Sequence, residues 1–448
     1  MTGNDASAAA AADGGRASVA ENDVVGAGDP DSHLTEAQLF DVVADHAASL
    51  GLDGKRLLVL VPDGTRSAPL PLLVRMLRRA FSSTQQLDLL IALGTHPPMD
   101  DAAIDRLLGC TAEQRGDMRV FNHLWDDPAT FVRLGTIEED DVAEISGGRL
   151  SHQVDVRINR LVTEYDHVLV CGPVFPHEVV GYSGGNKYFF PGVSGQELID
   201  LSHWLGALIT SYEIIGTLGT TPVRRLIDRA ASMIPTPRSA LCFVVSPKDA
   251  ASVHGAFAGP VESAWRLAAE LSSRVHVTYV DHPFTTVVSV IPSMYDEMWV
   301  AAKGMYKLEP VVADGGELII YAPHVKDISR VHGEALSRVG YHTRDYIESH
   351  WDELQHEPWG VLAHSTHLRG AGTYDAATGE ERPRVSVTLA TAIPEEECRD
   401  MGLGYRDPAT LDLSDFEGRE DEGILVVPKA GEMLFRLRTS HGPDGGGR

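Results

Sequence analysis

Along much of the chain, short runs of apolar residues alternate with polar, glycine-containing loops and then with stretches of helical period. Arg56-Leu57-Leu58-Val59-Leu60-Val61 is apolar after its first residue, the composition of a strand covered on both faces. It runs into Pro62-Asp63-Gly64-Thr65-Arg66, and a helix is predicted next, with Pro71 near its first turn and Leu72, Leu73, Met76, Leu77 and Ala80 inward. Leu87 to Leu93 is a second such run. It ends in Gly94-Thr95-His96-Pro97-Pro98, after which Asp100 caps a helix around 102–108. His167-Val168-Leu169-Val170-Cys171 is a third, leading into a loop that spans His177 to Gly192. Upstream, Leu34 to Leu50 has the period of a helix, with Thr35 as cap and Leu39, Phe40, Val43 and Ala47 on one face. Downstream, a helix over Gln196 to Leu208 carries His203, and strands follow near Leu241–Val245 and His276–Val280. This grammar predicts an α/β fold on a parallel sheet. Ligands of such sheets bind beyond the carboxyl ends of the strands, so Asp63, Arg66, His96 and His177 are expected to converge.

A second region begins near Asp281. It holds a predicted helix, Asp296 to Met305, with Trp299 and Lys303 four residues apart on one face, and a strand at Leu318–Tyr321. A last strand, Gly423–Pro428, is expected to return to the first sheet. The expected organisation is a cofactor-binding α/β domain over 34–281, rejoined by 423–437, and a smaller substrate or lid domain over 282–422, with the active site in the cleft between them. Residues 1–33 contain no aromatic side chain and are expected to be disordered, as is the Gly-rich end from 438 to 448. Seven histidines crowd 324–367, but only His364-x-x-His367 approaches a helical metal pair, so a second metal site is not expected there.

Composition narrows the chemistry. A chain of 448 residues is long enough for two cores, and a formal net charge of −26 argues against nucleic acid as a partner. Cys110, Cys171, Cys242 and Cys398 are widely spaced, which fits a reducing cytoplasm and disfavours a thiolate zinc site. No apolar run reaches membrane-spanning length and no signal-peptide pattern opens the chain, so a cytoplasmic protein without a membrane partner is expected.

The loop from His177 to Gly192 concentrates the functional signal. Gly181, Gly184 and Gly185 let a ligand approach the main chain, and successive backbone N–H groups can hold an anion such as phosphate. Lys187 supplies a cation or, when desolvated, an amine nucleophile. There is no Gly-Lys-Ser/Thr phosphate loop. Taken one at a time, these residues have plainer readings: Asp63 as a turn cap, Arg66 as a surface ion pair, His203 as a structural histidine.

Together the segments resemble the nickel-dependent lactate racemase family, over about residues 35–435. Its Asp-x-Thr-Arg is matched by Asp63-Gly64-Thr65-Arg66, and its Gly-x-His by Gly94-Thr95-His96. The signature His-x-x-x-Gly-(Phe/Tyr)-Ser-Gly-Gly-x-Lys-x-x-x-Pro-Gly is met from His177 to Gly192, a later histidine by His203, and Ala-x-Lys-Gly-Met by Ala301 to Met305. The resemblance implies a nickel-pincer nucleotide covalently linked to Lys187, with His203 as nickel ligand and the backbone of Ser183, Gly184 and Gly185 at the nucleotide phosphate. It implies His96 and His177 as the acid/base pair, Arg66 and Lys303 at the substrate carboxylate, Asp63 as an orienting group and Trp359 stacked on the pyridinium. The implied reaction is racemisation or epimerisation of a 2-hydroxy acid by hydride transfer. Its partners are that small molecule and the host's cofactor-synthesis enzymes; homo-oligomer formation is left open.

The sequence departs from the family at the substrate. Trp299-Val300 stands where the family has Tyr-Gln, Asn186 replaces the arginine before the attachment lysine, and Pro97 follows His96. A larger or more apolar 2-hydroxy acid than lactate is therefore expected. Two other readings compete: a pincer-dependent hydride-transfer enzyme with a different net reaction, and a non-catalytic ligand-binding or regulatory protein on the same scaffold. Binding alone has no need of a symmetric acid/base pair.

Overall fold

The computed structural model describes residues 23–438, so residues 1–22 and 439–448 of the tails expected over 1–33 and 438–448 lie outside the described residues. Two sheets organise the chain. The first has seven strands in the order Val25–Gly28, Val253–Gly259, Arg238–Val245, His167–Pro173, Arg56–Val61, Gln86–Ile91 and Val120–Asn122. The five strands from Arg238–Val245 to Val120–Asn122 are parallel, and the other two pair antiparallel at one edge. The central strands are buried on both faces because their residues alternate between two cores. Leu58, Leu60, Val168 and Val170 face one, while Leu57, Val59, Leu169 and Cys171 face the other. Each such side chain contributes about 1.5–3 kcal/mol by leaving water, which makes the strand ends a stiff platform for their loops.

Helices cover this sheet as the periodicity predicts. Glu36–Leu50 starts with a capping box in which Thr35 Oγ1 accepts from the Gln38 amide and Gln38 Oε1 accepts from the Thr35 amide. It ends on Gly51 in the left-handed region. Asp100 caps Asp101–Leu108 through the Ala103 amide. The expected single helix from Asp296 to Met305 is two short pieces, Met298–Ala301 and Lys303–Tyr306.

The second sheet is parallel throughout: Gly404–Tyr405, Ser386–Thr391, Val312–Ala322, Phe284–Val290 and Ile424–Val427. Two expectations are corrected. Residues 25–28, inside the segment expected to be disordered, form the edge strand of the first sheet against Val253–Gly259. Ile424–Val427 does not rejoin the first sheet but pairs with Phe284–Val290 at the edge of the second. The chain then turns back, and Leu434–Leu437 pairs with Val277–Val280 in a two-stranded ribbon. No helix among the described residues is long and apolar enough to cross a membrane.

The first sheet reverses direction of growth between Arg56–Val61 and His167–Pro173, which are neighbours although more than a hundred residues separate them. The loops after these two strands diverge and leave a crevice, and the second sheet's helices close over it.

Candidate active site

A cavity of about 200 Å³ occupies this crevice. Its wall includes Asp63, Arg66, His96, His177, Lys187 and His203 from the first sheet's side, and Trp299, Val300 and Lys303 from the second. The convergence expected from topology is therefore present in space. The loops are also tied together: the Gly94 amide donates to the Gly192 carbonyl at 3.0 Å, joining the His96 loop to the Lys187 loop.

Asp63 and His96 form the first unit. Asp63 Oδ2 lies 2.5 Å from His96 Nδ1, while Oδ1 accepts from the Thr65 amide and hydroxyl at 3.1 and 2.7 Å. Burial alone would raise the Asp63 carboxyl, but the charge and hydrogen bond of His96, with help from Thr65 and Arg66, hold it well below the usual carboxylate range. A carboxylate can only accept, so Nδ1 carries a hydrogen, and in the neutral ring His96 Nε2 presents a lone pair.

His177 is held in the opposite sense. Its Nδ1 accepts from the Val179 amide at 3.1 Å, which puts the proton of the neutral ring on Nε2. Burial, followed by the positive charges of Lys187 and Arg66, pushes its pKa well below the ordinary histidine value. Glu178 Oε2, 3.3 Å from the same Nδ1, stays ionised against its own burial, chiefly through a hydrogen bond from its own backbone N–H and then the charge of Arg66. Glu178 in turn is the strongest of the charges that keep the buried Arg66 guanidinium protonated.

The lysine loop is a rigid inner wall. Gly184 and Gly185 have φ of 83° and 58°, closed to most side chains, and a Cβ on Gly185 would press on Trp265. Arg224, fully buried, donates to the Gly184 and Tyr182 carbonyls and lies 4.0 Å from the centre of the Trp265 ring. Asn186 Nδ2 bridges Asp228 and Glu262 at 3.0 and 2.8 Å. Lys187 is thereby turned into the cavity, where burial and then Arg66 pull its amine down to about 7. On the next helix, His203 Nδ1 donates to the Ile199 carbonyl at 2.7 Å, leaving its Nε2 lone pair outward, and burial lowers the ring to about 4.

Two expected contacts are corrected. The Ser183 amide donates to the Phe175 carbonyl at 2.8 Å and the Gly185 amide to the Cys242 sulfur. Those two N–H groups are spent inside the protein, so the loop is no open anion cradle; only Ser183 and Gly184 of the three reach the cavity wall. Trp359 opens the helix Trp359–Arg369 but does not line the cavity. Its ring lies against His152 and Trp351, with centroids 4.9 and 5.4 Å away, and its Nε1 donates to the Gln355 carbonyl. The helix turns Gly360, Val361, His364 and His367 to the cavity instead.

Sequence reasoning missed several wall residues. Glu178 follows His177 and reads as an ordinary surface acid. Of the seven histidines over 324–367 the sequence set apart only His364 and His367, as a loose pair, and nothing in it placed them or His332 at the cavity; the packing of two separate segments brings the three to one wall. Among the described residues no group of three histidine, cysteine or carboxylate side chains is placed to hold a metal ion by itself.

The pattern described as the lactate racemase N-terminal domain matches residues 16–214, which include Asp63, Arg66, His96, His177, Lys187 and His203. The lactate racemase of Thermoanaerobacterium thermosaccharolyticum is 26% identical over 275 residues, 60% of each chain. That of Lactiplantibacillus plantarum is 25% identical over 288 residues, 62% of each chain. Residues 16–214 thus carry the pattern of the lactate racemase N-terminal domain, and the chain is similar to these two lactate racemases, spanning about three fifths of their length. Among solved structures, a protein from Thermotoga maritima superposes with a TM-score of 0.83 at 34% identity, covering 92% of this chain and 99% of that one. The lactate racemase apoprotein of T. thermosaccharolyticum superposes with a TM-score of 0.68 at 19% identity, over 91% of this chain and 94% of the other, and shows that the two share a fold.

Proposed function

We propose that this lactate racemase-like protein is an isomerase that racemises or epimerises a 2-hydroxy acid other than lactate, using a nickel-pincer nucleotide held on Lys187. The residues fit that group. Lys187 has a largely desolvated amine lowered to about 7, suited to forming the covalent link near neutral pH. His203 offers a single imidazole lone pair whose tautomer is fixed by the Ile199 carbonyl, the second-shell arrangement expected of a histidine that binds nickel. When bound, the cofactor would accept and return a hydride.

The chain's own residues supply the proton chemistry. Arg66 holds the substrate carboxylate by charge, and Lys303, whose amine burial lowers well below the usual lysine value, adds a hydrogen bond. His96, with a free Nε2 and its Nδ1 anchored on Asp63, takes the hydroxyl proton of one enantiomer. His177, carrying its proton on Nε2, returns one to the oxygen of the other. Reversing the direction exchanges the two roles. The observation that carries the reading is this pair of histidines, set in opposite protonation senses by Asp63 and by the Val179 amide at one cavity. The free thiols Cys171, Cys242 and Cys398 are buried and suit a reducing cytoplasm.

The test is chain co-expressed with cofactor-synthesis enzymes. It should carry about one nickel per chain and a mass adduct, both lost in Lys187→Ala, and should invert 2-hydroxy acids in a chiral screen. Nickel-loaded protein without an adduct, or with Cα–H exchange but no inversion, overturns the proposal.

A further inference from the structure

The wall contributed by the second sheet's side holds polar atoms that the acid/base chemistry leaves unused. His364 and His367 stand one turn apart on the helix Trp359–Arg369, are 7% and 4% exposed, and line the cavity. Both ring nitrogens of His367 and Nδ1 of His364 are buried without a hydrogen-bond partner. Leaving such atoms unpaired is unfavourable, so a site that retains them is matched to a ligand that satisfies them.

Their chemistry can be read from the neighbours. His364 Nε2 lies 3.1 Å from the Trp299 carbonyl, which can only accept. The hydrogen of His364 is therefore on Nε2, and Nδ1 is a bare acceptor. His367 offers one donor and one acceptor, and burial keeps it neutral, lowered to about 4, although the nearby Glu178 acts in the opposite direction. The indole of Trp299 stacks on His364 at 4.1 Å with 6° between the planes and fixes that ring. A wall of two acceptors and one donor beside a carboxylate disfavours a second carboxylate on the ligand. A ligand ammonium is disfavoured by the Arg66 guanidinium, which stays charged on the same cavity. A hydroxyl, donor and acceptor at once, fits.

We infer that His364 and His367 form a subsite for a hydroxyl group beyond C2, so that the substrate is a polyhydroxy acid, a 2-hydroxy acid bearing at least one further hydroxyl on its chain. This rests on the 2-hydroxy-acid reading and replaces the expectation of a more apolar substrate. Val300 removes a polar group near the reacting carbon, and the two histidines provide others further along.

The experiment titrates full-length protein, cofactor-loaded and unloaded, with threonate, erythronate, 2-hydroxybutanoate and malate by calorimetry. A tetronate should bind at least about tenfold tighter than 2-hydroxybutanoate, because a site built to bond a hydroxyl penalises its absence. That ratio should collapse to within about twofold in His367→Phe and in His364→Phe, which keep the aromatic packing, and should survive in His367→Gln, which keeps a donor and an acceptor. Malate binding tighter than either tetronate overturns the inference, as does a ratio unchanged in both Phe variants. Should the Phe variants fail to fold, the wild-type ranking of the four ligands decides. A tetronate preference without inversion by loaded enzyme overturns the racemase reading and leaves the subsite standing. Inversion of 2-hydroxybutanoate with no tetronate preference does the reverse.

Discussion

Lys187 shows how one residue's chemistry is made by its surroundings. Its amine is withdrawn from water and faces Arg66, and both effects favour the neutral form over the attraction of Glu178. The folded-state pKa, about 7, is far below the ordinary 10.5, so the neutral amine appears above pH 7 rather than above pH 10. Acylation of the unloaded protein by a small anhydride should therefore modify Lys187 with a rate midpoint near pH 7, while exposed lysines titrate near their usual value; peptide mass mapping across pH measures this. A Lys187 midpoint above pH 9 would remove the electrostatic basis for its role. The motif around Lys187 was readable from sequence because its glycines, histidine and lysine lie within sixteen residues. The spending of the Ser183 and Gly185 amides was not, since their acceptors, Phe175 and Cys242, are placed there by other strands.

At the scale of elements, the strand His167–Pro173 and the turn that carries Lys187 pack by direct contact. A Cβ on Gly172 would overlap the Tyr188 hydroxyl and ring, and Tyr188 is the last residue of the turn Gly185–Tyr188. Gly172→Ala should therefore destabilise the protein by about 2–3 kcal/mol, as overpacking of a filled core does, and displace the turn. A denaturant midpoint lowered at unchanged slope, together with slower Lys187 acylation, is the expected result. The main strands were legible because a strand buried on both faces must be a continuous apolar run, as Arg56–Val61 and His167–Cys171 are. Val25–Gly28 was not legible. Its four residues Val-Gly-Ala-Gly are mostly exposed at a sheet edge, and nothing in their composition marks an edge strand. The side of the helix Trp359–Arg369 that meets the cavity was likewise decided by packing, with Trp359 drawn to His152 and Trp351.

For the molecule as a whole, the acidic side of neutrality is the vulnerable one. Away from the cavity, His46 and His167 both bond Ser239 Oγ beneath the first sheet, at 2.9 and 2.8 Å, and His123 sits between Asn159 and the Ser194 carbonyl. Burial lowers all three from 6.5 to about 4. Between those values the unfolded chain binds protons that the folded chain refuses, so stability falls as pH drops from 6.5 towards 4, and none of this loss is present above 6.5. Each histidine contributes a slope of up to about 1.4 kcal/mol per pH unit in that window. Thermal unfolding should therefore show Tm dropping more steeply between pH 6 and 5 than between pH 8 and 7, where buried lysine amines, Lys187 among them, contribute instead of the histidines. His123→Gln, which can keep one bond without gaining a charge, should flatten the drop.

The amino-acid sequence by itself determined the α/β class, the three loops that meet at the cavity and the presence there of His96, His177, Lys187 and His203, because each depends on neighbours within a few positions. The tertiary structure alone decided the edge strand at 25–28, the membership of Ile424–Val427 in the second sheet, the absence of Trp359 from the cavity wall and the presence of His364 and His367 at the cavity. Those features depend on which surfaces are left uncovered once the sheets have formed, a competition among distant segments that no local pattern encodes.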